Sequence, residues 1–190
     1  MSDARFFTVQ RTNSRQLDGC SFTRVLSLDI DSFGLNRQQA VKILSMVQIH
    51  FETSAEELKY SIDLRLRRRH LNRDTSRELT TITLERNFVA PTQGETNSYT
   101  ELMNLNWTDT LDRRCWREGF DGDGGDDFDD DDIDISNCRD NDRNRSDFRY
   151  TVLIRFNAKN GFTPSNLTAQ NRSLSAIVFP QNGEGSNFFF

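Results

Sequence analysis

In residues 59–69, Tyr60, Ile62, Leu64 and Leu66 take alternate positions, while Asp63, Arg65 and Arg67 fill the places between them. Successive side chains of an extended chain point to opposite faces, so this period of two describes a strand with one face in a core. Residues 148–156 repeat the pattern, with Phe148, Tyr150, Val152, Ile154 and Phe156 inward and Arg149 and Arg155 outward. Segments 23–31, 77–89, 173–180, 6–10 and 98–108 are rich in Thr, Val, Ile and Phe and add further strands, making seven or eight.

Residues 38–52 satisfy two periods at once. Val41, Ile43, Val47, Ile49 and Phe51 alternate, yet Ala40, Val41, Leu44 and Val47 also form a helical stripe that Asn36 would cap. The reading adopted puts a strand in the second half, joined through 53–57 to the Lys59 strand as a hairpin. A capping box from Ser54 to Glu57 is the helical rival.

Turn signals at Asp18-Gly19, Asn160-Gly161 and Asn182-Gly183 punctuate the strands, and no crossover helices of a parallel sheet stand between them. The expected fold is all-β: an antiparallel β-sandwich, with a jelly roll as one form of it and room for one short helix. The 190 residues fit a single domain, 1–190, with an acidic insert at 118–147 and a C-terminal arm at 180–190.

That insert reverses the apparent charge of the chain. Its formal net charge is −5, but nine aspartates lie within residues 121–134, and without them 20 acids face 24 bases, or +4. A mildly basic domain thus carries a concentrated acidic segment. Of the bases, only Lys42, Lys59 and Lys159 are lysine. The rest are arginine, whose planar fork suits bidentate pairing with carboxylate or phosphate.

Asp121, Asp123, Asp126 and Asp127 have a spacing that permits calcium, which takes six to eight oxygens from a flexible turn. The run departs from an EF-hand loop, since Gly125 fills position five, Asp126 replaces the glycine and Asp132 replaces the final glutamate. Calcium is the only cofactor implied. The other counter-charge is arginine: Arg65, Arg67, Arg68 and Arg69 crowd one strand and would meet Asp129, Asp130, Asp131 and Asp132 of a neighbouring copy, with a local clamp by the flanking Arg113, Arg114, Arg117, Arg139, Arg143, Arg145 and Arg149 as the alternative. Phe188, Phe189 and Phe190 end the chain as an apolar tip that would dock on its own domain or on a neighbour.

Other chemistry finds little footing. Three cysteines, Cys20, Cys115 and Cys138, show no C-x-x-C spacing, so reduced thiols are expected, with a Cys115–Cys138 bridge across the insert as the alternative. His50 and His70 lie in strand sequence outside any metal or triad motif. Sequons at Asn106, Asn144, Asn166 and Asn171 fit chance in an asparagine-rich chain. No signal peptide or membrane span is visible, which implies cytoplasmic synthesis, with the virion as one destination. Nucleic acid could reach the Arg67–Arg69 cluster, but no nucleic-acid-binding motif accompanies it and the acidic run would repel phosphate.

The function expected is therefore non-enzymatic: a self-assembling structural subunit of a virion, phage or filament, partnered by its own copies or by other structural subunits. A calcium-dependent binding module, such as a carbohydrate-binding sandwich, is the alternative.

Overall fold

The computed structural model describes residues 4–30, 39–71, 76–90, 94–111, 148–162 and 164–180. They form nine strands: β1 (Arg5–Arg11), β2 (Arg15–Gln16), β3 (Thr23–Ile30), β4 (Gln39–Thr53), β5 (Glu57–His70), β6 (Ser76–Val89), β7 (Asn97–Leu111), β8 (Phe148–Lys159) and β9 (Ser165–Pro180). There is no helix among the described residues.

Two antiparallel sheets face each other. One runs β1-β9-β4-β7, with the short β2 also on β9, and the other runs β3-β8-β5-β6. The pairings nest: β5 with β6, β4 with β7, β3 with β8, and β1 with β9. The first half of the chain is thus matched against the second half in reverse, and the double ribbon is folded into two layers. The all-β sandwich expected from the alternating sequence is the fold observed.

Alternation decides which side chains fill the space between the layers. Ile62, Leu64 and Leu66 of β5, Val152 and Ile154 of β8, and Val41, Ile43, Val47 and Ile49 of β4 are all fully buried. At one end Phe51, Tyr60 and Phe156 cluster with ring centroids 5.0–5.2 Å apart, in two edge contacts and one stack. Such contacts add to the area these rings remove from water.

Two expectations about β4 change. Residues 39–53 are strand throughout, because Val41 to Phe51 bury their odd-numbered members while Leu44 and Met46 stay exposed. Nor do β4 and β5 form a hairpin. Thr53 closes a strand of one sheet and Glu57 opens a strand of the other, with Thr53 Oγ1 accepting from the Ala55 amide at 3.1 Å in the connection. Alternation fixes which side chains face inward. It carries no record of which sheet a strand joins.

β9 begins eight residues before the expected strand at 173, because two bulges interrupt its alternation. Relative to β4 it carries one extra residue between Ser173 and Gln170 and another between Thr168 and Ser165. Asn171 and Asn166 sit there at φ 39° and 52°, a left-handed conformation that asparagine tolerates better than most residues. Their side-chain amides donate to Gln48 Oε1 and Glu52 Oε2, each at 2.6 Å. Two of the four sequon asparagines thus have a local structural role. The expected turn at Asn160-Gly161 follows β8, both residues at positive φ.

Candidate functional site

The residues singled out from sequence separate into two groups. Asp121, Asp123, Asp126, Asp127, Asp129 to Asp132, and Phe188 to Phe190 lie outside the described residues, as do Cys115 and Cys138. Arg65, Arg67, Arg68 and Arg69 are all on β5, and the strand's pleat sends them different ways.

Arg65 lies on the outer face. Its Nε is 3.1 Å from Glu78 Oε2, and its guanidinium stacks over the Phe22 ring at 3.8 Å, sharing that ring with Arg155 at 4.5 Å. Beneath them Asp63, 6% exposed, accepts from Thr83 Oγ1 at 2.7 Å, from Arg155 Nη2 at 2.7 Å and from Asn157 Nδ2 at 3.2 Å. Burial pushes the Asp63 carboxyl up, but these donors and the Arg155 charge outweigh it and hold its pKa below the ordinary carboxylate value. The outer strip is therefore a closed network, and only Arg67 and Arg69 of the four arginines are exposed on it.

Arg68 points the other way. It continues the inward series Ile62, Leu64, Leu66, and its Nη1 donates across the sandwich to Asp109 Oδ2 of β7 at 2.7 Å. The same oxygen accepts from the fully buried Tyr150 hydroxyl, also at 2.7 Å. Burial, then the charge and hydrogen bond of Asp109, push the Tyr150 pKa well up. A second triad of the same type stands further along β7: Glu101 accepts from Tyr60 Oη at 2.6 Å and from Arg86 Nε and Nη2 at 3.0 and 3.3 Å. Burial and Glu101 likewise raise the Tyr60 pKa above the ordinary phenol range. Each triad joins a carboxylate of one sheet to a tyrosine and an arginine of the other.

The tyrosines and acids of these triads were not anticipated from sequence, although a signal existed. Asp109 follows Met103, Leu105 and Trp107 at spacing two, as Arg68 follows Leu66. A charge at a core-facing position requires a partner, and two such positions of opposite sign predict each other. Of the two histidines, His50 lies on the outer face within 3.5 Å of Thr100 Oγ1, and His70 meets the Phe148 ring edge-on at 5.0 Å. Among the described residues no three of His, Cys, Asp or Glu are placed to hold a metal, and Cys20 is exposed and unbridged. The described residues contain no helix long and apolar enough to cross a membrane.

The outer face of the β1-β9-β4-β7 sheet carries the feature least expected of a solvated surface. Phe6 is 64% exposed, Leu102 54%, Phe179 41%, and Leu44 and Met46 38% each. Register makes them contiguous: Phe6 lies opposite Ile177, Leu44 and Ile177 are diagonal neighbours across β4 and β9, and Met46 and Leu102 are diagonal across β4 and β7. An apolar band thus crosses all four strands.

No family model matches the chain, and no curated protein does. Among solved structures it is similar to chains of infectious bursal disease virus. In the Gx strain structure the likeness has a TM-score of 0.35 at 11% identity, covering 95% of this chain and 33% of that one. In the VP2 subviral particle the TM-score is 0.35 at 13% identity, over 92% of this chain and 32% of that one. The chain spans about a third of the length of these viral chains. At these TM-scores the likeness bears on neither fold assignment nor function.

Proposed function

We propose that the protein is a non-enzymatic structural subunit that assembles with its own copies, of the kind found in virions, and that its sandwich is a jelly roll. The observation that carries the assembly reading is the apolar band of Phe6, Ile177, Leu44, Met46 and Leu102. An antiparallel sheet facing water on one side presents polar residues there, and large contiguous apolar patches mark contact surfaces. The nested pairing of strands supports the jelly-roll reading. That architecture serves capsid and lectin domains alike, so it does not choose a function by itself.

Several details complete the proposal. Arg67, exposed on the outer strip, is a rim charge suited to acidic groups of a neighbour, the 129–132 run among them, while Arg65 and Arg68 are engaged within the domain. Phe188 to Phe190 supply a terminal hook. Non-enzymatic character is supported by the most buried carboxylates, Asp63 and Asp109, each saturated by arginine and hydroxyl donors. The calcium-module alternative rests on residues 121–127 alone.

Native mass tests the proposal. At low salt, wild type should form oligomers that grow with concentration, and Leu44→Glu with Leu102→Glu should return it to monomer with an unchanged melting temperature. A wild-type chain monomeric at every concentration refutes assembly. Millimolar calcium should leave mass and melting temperature unaltered; a calcium-dependent rise in melting temperature with no oligomer would establish the binding module instead.

A further inference from the structure

On the open side of the sandwich, where edge strands β1 and β3 approach, lies a cleft of about 470 Å³ whose charged lining residues are Arg11, Arg15, Arg24, Arg149 and Asp29, set among valine, leucine and serine side chains. Arg149 takes the single carboxylate in a bidentate contact, at 2.6 and 2.8 Å. Arg11, Arg15 and Arg24 have no carboxylate partner among the described residues. Beside them stands Arg172, opposite Arg11 in the β1–β9 register and only 4% exposed. The bulge at Asn171 turns it inward. Its Nη2 donates to the Asn13 carbonyl and to Asn13 Oδ1, both at 2.9 Å, while Nε and Nη1 find no acceptor among the described residues. Burial, then the charges of Arg15 and Arg11, lower its pKa.

We propose that this cleft receives the chain's own aspartate-rich segment, residues 121–134. Five arginines against one aspartate attract anions, and nine carboxylates within fourteen residues attract cations. The chain supplies both. Thirteen residues, 135–147, separate Asp134 from Phe148, and Arg149 is itself a wall of the cleft. That tether reaches at most about 45 Å when extended. It holds the segment at an effective concentration on the order of millimolar, which a free anion such as a nucleic-acid strand would have to overcome. Guanidinium forks match carboxylates bidentately, as Arg149 and Asp29 already show within the cleft. The inference competes with a neighbour's Arg67 for the 129–132 run but leaves the apolar band untouched: native mass reads the outer face of the β1-β9-β4-β7 sheet and peptide binding reads the cleft, so either proposal can fail alone.

Occupancy by the tethered segment makes the cleft unavailable to an added one. A fluorescent peptide of residues 119–136 should bind the full-length chain with Asn at all nine aspartate positions at least 10-fold more tightly than it binds wild type at low salt. Adding Arg11→Glu and Arg24→Glu, both exposed positions, should abolish that gain, with melting temperature confirming the fold. Equal affinity for wild type and the neutralised chain overturns the proposal, as does a gain that survives the arginine changes. A single-stranded RNA that binds wild type as tightly as the peptide binds the neutralised chain overturns it too, because the cleft would then be open to phosphate.

Discussion

Replacing Asp109 by alanine removes one oxygen that serves two buried donors. Arg68 and Asp109 have side chains only 12% and 9% exposed, so the remaining guanidinium gains little water in exchange for its carboxylate. Truncating one partner of such a pair costs about 3–5 kcal/mol, and stranding the fully buried Tyr150 hydroxyl costs about 1–3 kcal/mol when counted alone. The two share an acceptor and do not add, so a loss of about 3–5 kcal/mol is expected. With a urea dependence of about 2 kcal/mol per molar, the unfolding midpoint should fall by about 1.5–2.5 M at unchanged slope. The triple replacement Arg68→Met, Asp109→Leu and Tyr150→Phe should recover most of this loss, because it removes every polar group at once. A midpoint shift below about 0.5 M for Asp109→Ala would refute the account. So would a triple variant no more stable than the single one, which would show that packing, not charge burial, sets the cost.

Two further outcomes follow from other parts of the molecule. The folded Asp63 pKa lies below its unfolded value, about 3.9, so its contribution is fully present above that pH and is lost as pH falls through the folded pKa; urea midpoints of wild type should drop below about pH 4 more steeply than those of Asp63→Asn. Deleting Phe188 to Phe190 should shift the oligomer to smaller mass at a given concentration with little change in melting temperature, and an unchanged mass would remove these residues from the assembly surface.

What the sequence disclosed depended on how regularly each strand alternated. β5 and β8 keep strict period over their inward residues, and their burial was readable from Tyr60 to Leu66 and from Tyr150 to Phe156. β9 was half readable, because each bulge inserts a residue and exchanges the faces: Leu167 and Ala169 point inward at odd positions, Leu174 and Ala176 at even ones. Arg172 is buried in phase with Leu174, Ala176 and Val178, whereas a period drawn on from Leu167 and Ala169 would turn it outward. The outward reading of Arg65 and Arg67 held, whereas grouping Arg68 with them treated adjacent residues as one patch. A strand separates neighbours by 180°, so a run of arginines in sequence is never a run on one face. The apolar band on the outer sheet was hidden for a related reason, since it is made by registers between β1, β9, β4 and β7 that are distant in the chain.

The same register argument explains how the sandwich carries 36 residues between Leu111 and Phe148. Connections of that length are uncommon within a compact domain and belong mainly to functional or linker segments. Closure entropy grows only logarithmically with length, so the demand falls on the strand ends, which must hold without help from a short turn. Both ends are secured by an aspartate–arginine pair. Asp109, two residues before β7 ends, is fixed to Arg68 across the sheets, and Arg149, one residue after β8 begins, is fixed to Asp29 on β3. β7 is further paired with β4 along all fifteen of its residues. The ladders of β7 and β8 therefore close on pairings among the described strands alone. Strands held in this way can carry a long connection with nine aspartates in one place, at a point whose far end opens beside an arginine-lined cleft.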